Sequence, residues 1–105
     1  MNTHSATATV PTSNASRYLQ QLCKHWSHKL VVTFTTDEGT ITFPADVRGR
    51  SFPAEARVTL QARETALEVL VDASALDQLE GLKGAVASHL DRFAFREAPL
   101  AFNWR

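Results

Sequence analysis

Residues 17–29, Arg-Tyr-Leu-Gln-Gln-Leu-Cys-Lys-His-Trp-Ser-His-Lys, constrain the fold of this chain more than any other stretch. Mapped at about 100° per residue, Ala15, Tyr18, Leu19, Leu22, Cys23 and Trp26 recur at i, i+3, i+4, i+7, i+8 and i+11 and line up as one apolar stripe. Arg17, Gln21, Lys24 and His28 fall on the opposite side, and His25 sits on the border. This spacing predicts an amphipathic helix over about residues 14–29, with Ser13 as its N-cap. Lys24, His25, His28 and Lys29 lie in its last turns, where positive charge complements the helix dipole. A helix with so wide a stripe needs an apolar surface to lie on, and the rest of the chain must supply it.

The remaining pattern is that of a sheet and a second helix. Ala6, Ala8 and Val10 alternate with threonines up to Pro11, a period-two strand. Val32 and Phe34 alternate next, and Ile41 and Phe43 return on the same face after a turn at Asp37-Glu38-Gly39, with Gly39 at the left-handed position. Residues 44–53 are irregular and read as a long exposed connection. Ala56, Val58, Leu60 and Ala62 then alternate with polar residues, as do Leu67, Val69 and Val71 beyond a turn at residues 63–65. Asp72 or Ser74 caps a second helix reaching about residue 92, with a stripe of Leu76, Leu79, Leu82, Val86, Leu90 and Phe93. Gly81 and Gly84 within it suggest close approach to a neighbour. Phe93, Phe95, Leu100, Phe102 and Trp104 form an aromatic tail expected to fold back on the domain. The expected fold is α+β: a two-layer sandwich in the order β-α-β-β-β-β-α, with two helices on one face of an antiparallel sheet. It is one domain spanning residues 1–105, with residues 1–5 and 44–53 expected to be flexible and residues 94–105 folded back.

Composition narrows the function classes. No apolar run reaches the roughly 18–20 residues of a membrane span. The first residues lack the charged and apolar regions of a signal peptide, and the single cysteine forms no internal disulfide, so a cytoplasmic location is expected. Net charge is +0, yet residues 1–36 carry Arg17, Lys24 and Lys29 and no acid. Three bases on one helix fall short of the basic face that duplex binding requires, so nucleic acid is not expected as a partner, nor is a membrane. Oligomeric state is left open by the sequence.

Two blocks, residues 17–29 and His89-Leu90-Asp91-Arg92-Phe93-Ala94-Phe95-Arg96-Glu97, resemble a bacterial family of small domains of unknown function. The resemblance covers nearly the whole chain. It implies a TATA-binding-protein-like β-α-β4-α arrangement, and an iron-homeostasis context, because such domains often occur beside or fused to siderophore-interacting and iron-uptake proteins. A protein of that kind is the implied partner. Residues 44–53 look longer than the family usually has there, and no catalytic residue carries over.

Three chemistries are open to these residues. On a regular helix Cys23 and His25 point about 160° apart and cannot share an ion, whereas His25 and His28, three residues apart, can converge. If the helices pack side by side, His89 could meet that pair, making a metal or haem site of His25, His28 and His89 with iron, zinc or haem as its occupant. No cofactor is required by the sequence. Structurally, the same imidazoles would cap carbonyls at the helix end, with His89 half-buried and bonded to the tail. A second arrangement joins Arg17, His25 and His28 to His89, Arg92, Arg96 and Glu97 as an anion-binding surface for a carboxylate-rich or catecholate iron chelator, or for an acidic partner. Its structural alternative is an ion-pair network in which the arginines and Glu97 pin the tail. Cys23 reads as an inert core thiol, and Trp26 and Trp104 as core. With no Gly-rich phosphate loop, Ser-His-Asp order or Cys-x-x-Cys pair, only acid–base work by a His/Glu cluster would make this an enzyme. A small hydrolase or reductase partner is the third reading. The leading expectation is a non-catalytic accessory or binding domain in iron or siderophore handling; metal or haem binding comes second.

Overall fold

The computed structural model describes residues 4–47 and 49–105. In chain order the elements are β1 (His4–Pro11), α1 (Ala15–Trp26), β2 (Val31–Phe34), β3 (Glu38–Phe43), β4 (Asp46–Val47), β5 (Arg50–Ser51), β6 (Ala56–Ala62), β7 (Ala66–Ala73) and α2 (Leu76–Phe93). Five strands form one antiparallel sheet in the order β1-β7-β6-β3-β2, and β4 pairs with β5 as a separate hairpin. Both helices cover one face of the sheet: α1 lies over β2, β3 and β6 and α2 over β7 and β1. The fold is the two-layer α+β sandwich that the alternation and the two apolar stripes imply.

Strict alternation places the core. Ala6, Ala8 and Val10 on β1, Ala56, Val58 and Leu60 on β6, and Leu67, Val69, Val71 and Ala73 on β7 all point under the helices. The α1 stripe from Ala15 to Trp26 is buried as its spacing predicts. Leu19 and Leu22 are fully buried, each worth about 1.5–3 kcal/mol of transfer energy.

Several local expectations are corrected. The residue capping α1 is Asn14 rather than Ser13, and it makes no side-chain capping bond; the Thr12 hydroxyl accepts the Asn14 N–H instead. The residue capping α2 is Ala75 rather than Asp72 or Ser74. Buried Gln78 reaches back one turn, where its Oε1 accepts both the N–H and the hydroxyl of Ser74. Gly39 is not at the turn but inside β3, where a Cβ would stand 2.7 Å from the Cys23 sulfur. Glycine is needed there because α1 rests directly on the strand. Gly81 and Gly84, by contrast, have nothing within 4 Å of a Cβ, so close helix approach does not explain them. Leu76, assigned to the α2 stripe, and Phe95, assigned to the folded-back aromatic tail, are exposed.

Residues 44–53 carry the β4–β5 hairpin, with Gly49 at a positive φ of 80°. The loop is tied to the start of α2: Gln78 Nε2 donates to the Ala54 carbonyl, the Ala54 N–H donates to the Ser74 hydroxyl, and Arg50 pairs with Asp77 at 2.7 Å. The flexibility expected for residues 1–5 and 44–53 concerns in part residues 1–3 and 48, which lie outside the described residues; His4 and Ser5 pair with Ala73 and Asp72.

The tail runs back to β1. Arg105 exchanges two backbone hydrogen bonds with Thr7 on the outer edge of β1. Leu100 is buried, and Phe102 and Trp104 stack with ring centres 5.8 Å apart against the core. One sheet edge is thereby covered.

Candidate functional site

The two ends of α1 carry the polar chemistry of the molecule. At its N-terminal end, Glu97 is held by Thr12 Oγ1 at 2.9 Å, Asn14 Nδ2 at 3.0 Å and the Tyr18 hydroxyl. The Tyr18, Asn14 and Thr12 donors hold the Glu97 carboxyl below its usual range. The same carboxylate, together with burial, pushes the Tyr18 phenol up. Glu97 does pin the tail, as expected, but through three neutral donors rather than through Arg92 or Arg96. Arg96 instead lies over the Phe95 ring at 5.6 Å.

At the C-terminal end three of the last four helix carbonyls are satisfied without the histidine side chains. The Cys23 carbonyl accepts the Ser27 N–H, the Lys24 carbonyl accepts the Ser27 hydroxyl, and the Trp26 carbonyl accepts the N–H groups of Lys29 and Leu30. The capping role expected of His25 and His28 is thus taken by other groups, and their imidazoles are left to the surface.

That surface is an open cleft of about 900 Å³ between α1, α2 and the 44–53 loop. Trp26, Phe43, Phe52 and Leu82 give it an apolar floor; His25, His28, Lys29, Arg50 and His89 stand among its polar residues. Trp26 meets Phe43 edge-on at 5.1 Å and His89 at 4.9 Å. The His25 and His89 rings are 5.1 Å apart and Phe93 flanks His25 at 5.8 Å, so the seam between the helices does bring α2's histidine to α1's. His89 is half-buried, but its Nδ1 bonds the Ala85 carbonyl of its own helix at 2.7 Å rather than the tail. Partial loss of water around the ring first, then the charges of His89, Arg92, His28 and Lys29, lowers the His25 pKa.

The seven expected site residues therefore divide. His25, His28 and His89 share the cleft, and Arg92 is near enough to act on His25. Glu97 and Arg17 belong to the other end of α1, where Arg17 acts on Tyr18. Seven residues separate Tyr18 from His25, roughly 10 Å along a helix, so Glu97 does not complete the histidine cluster. Among the described residues no group of three or more His, Cys, Asp and Glu could hold a metal ion. Cys23 lies buried beneath the helix, its thiol pushed up to about 11 by burial and so unreactive.

Phe43, Phe52, Arg50, Asp77 and Gln78 escaped the sequence reading as site residues. One signal was available: the dipeptide Phe-Pro occurs twice, at residues 43–44 and 52–53, bracketing the loop that becomes the cleft wall.

A family model described as an uncharacterized protein conserved in bacteria (DUF2218) matches residues 7–105. The chain belongs to that family. A DUF2218 domain of this kind is similar to the NMR structure of PA4090 from Pseudomonas aeruginosa, at 29% identity and a TM-score of 0.77, over 98% of this chain and 96% of that one. No curated protein matches the chain. Among its described residues this DUF2218 member has no helix long and apolar enough to cross a membrane.

Proposed function

We propose that this domain is a non-catalytic binding module of iron or siderophore handling, and that the cleft at the C-terminal end of α1 is its ligand site. The carrying observation is the pairing of an aromatic floor with a basic, imidazole-bearing wall in one cavity of ligand size. A planar aromatic ligand would stack on Trp26, Phe43 and Phe52 while its anionic groups reach Lys29, His28 and His25. A catecholate or aromatic carboxylate has that shape and charge. Binding is favoured over catalysis because the carboxylates lining the cleft are engaged: Asp77 by Arg50, and Asp46 by the Ser51 hydroxyl. The resemblance to domains found beside siderophore-interacting proteins supports the same chemistry.

The test is a fluorescence titration with 2,3-dihydroxybenzoate and its ferric complex, in a Trp104→Phe background that leaves Trp26 as the reporter. Saturable quenching is expected, weakened about tenfold or more by His28→Ala with Lys29→Ala at unchanged melting temperature. Linear, non-saturating quenching for both probes would contradict the proposal.

A further inference from the structure

We propose that His25 and His89 form a two-imidazole acceptor for a borderline transition-metal ion that is already held by an anionic organic chelator, the chelator body lying in the cleft. The inference rests on the cleft being a ligand site and adds the chemical class of the ligand. Two imidazoles bound to one ion at about 2.0–2.1 Å, with an N–metal–N angle of roughly 90–110°, place their ring centres roughly 4.5–5.2 Å apart. The His25 and His89 rings are 5.1 Å apart at 47°. That separation falls within the range of two imidazoles on one ion.

The hydrogen bonding of His89 suits the same role. The Ala85 carbonyl takes the Nδ1 proton of His89, which leaves its Nε2 lone pair bare, as in histidines oriented for metal binding. Trp26 against His89 and Phe93 against His25 fix the two ring planes. His25 makes no side-chain hydrogen bond among the described residues, so its ring nitrogens are also open.

The described residues supply too few donors to hold an ion alone. Two imidazoles hold an exchangeable ion poorly, and among the described residues no third His, Cys, Asp or Glu completes a set. The remaining donors must come with the ion. The large cleft beside the pair has room for them, and Lys29 on its wall would favour a carboxylate-bearing chelator. Imidazole selects nickel, copper, zinc or ferrous ions over hard cations that prefer all-oxygen shells.

The experiment uses untagged full-length protein and nickel(II) nitrilotriacetate, whose chelator leaves two neighbouring positions open. Calorimetry and paramagnetic broadening of imidazole resonances are the readouts. One-to-one binding is expected, with broadening at His25 and His89, at least tenfold weaker in His25→Ala and in His89→Gln, and absent for nickel(II) ethylenediaminetetraacetate, which leaves no position free. Melting curves on the same variants establish that the fold persists, and the 2,3-dihydroxybenzoate titration is run beside them on the wild-type protein. Failure of nickel(II) nitrilotriacetate to bind, or equal binding of the saturated chelate, would overturn the inference. Retained dihydroxybenzoate binding would then leave the cleft as a site for metal-free anions, whereas loss of both would remove the cleft reading as well.

Discussion

The two ends of α1 put polar groups to opposite uses. At the N-terminal end every partner is satisfied: Glu97 takes three side-chain donors, and Thr12 both donates to Glu97 and accepts from the Asn14 backbone. At the C-terminal end three of the last four carbonyls are satisfied by Ser27, Lys29 and Leu30, while His25, His28 and Lys29 face a cavity. One end closes the fold by locking the tail onto the first helix. The other is left chemically open, and an open, preorganised set of polar groups over an aromatic floor is what a ligand requires.

The comparison breaks most readily at the closed end. Glu97→Ala strands the Thr12, Asn14 and Tyr18 donors and should cost about 3 kcal/mol, lowering Tm by roughly 10–20 °C in a chain of this size. An equal loss from a cleft histidine variant would erase the distinction between the ends. Gly39→Ala drives a methyl into the Cys23 sulfur and should cost about 2 kcal/mol by chemical denaturation; Gly81→Ala and Gly84→Ala, with open space around them, should be neutral or stabilising.

Acid sharpens the contrast. Because the folded pKa of Glu97 lies below its unfolded value, its contribution is full above the ordinary carboxylate range and is lost as pH falls through the lowered value. Wild type should therefore lose more stability between about pH 5 and pH 3 than Glu97→Gln does, read as the difference between their denaturation midpoints. The smallest effect belongs to the open end. His25→Ala, on an exposed side chain, should change stability by no more than about 0.5 kcal/mol while removing ligand binding.

What could be read in the chain, and what could not, follows the same division. Periodicity of 3.6 and 2 located the α1 stripe, the strands on both sides of the sheet and the layer order, because burial alone sets those patterns. It also put His89 on the flank of α2, within reach of the α1 histidines on the condition that the two helices lie side by side. Glycine roles were misjudged: whether a Cβ fits depends on what crosses above it, and only the packed structure shows α1 resting on Gly39 and open space at Gly81 and Gly84. The grouping of Glu97 with the histidines failed for a similar reason. The tail after α2 turns toward the start of α1, a direction that no local pattern specifies. The cleft wall was missed because residues 44–53 have no period, and their position is set by long-range bonds from Ala54 to Ser74 and Gln78 and from Arg50 to Asp77.

The most direct test of an open end and a closed end is an amide and imidazole NMR titration with 2,3-dihydroxybenzoate. The account predicts saturable shifts at His25, Trp26, His28, Lys29, Phe52 and His89, with Thr12, Asn14, Tyr18 and Glu97 unmoved. Shifts centred on the Glu97 network, or none that saturate at either end, would contradict it.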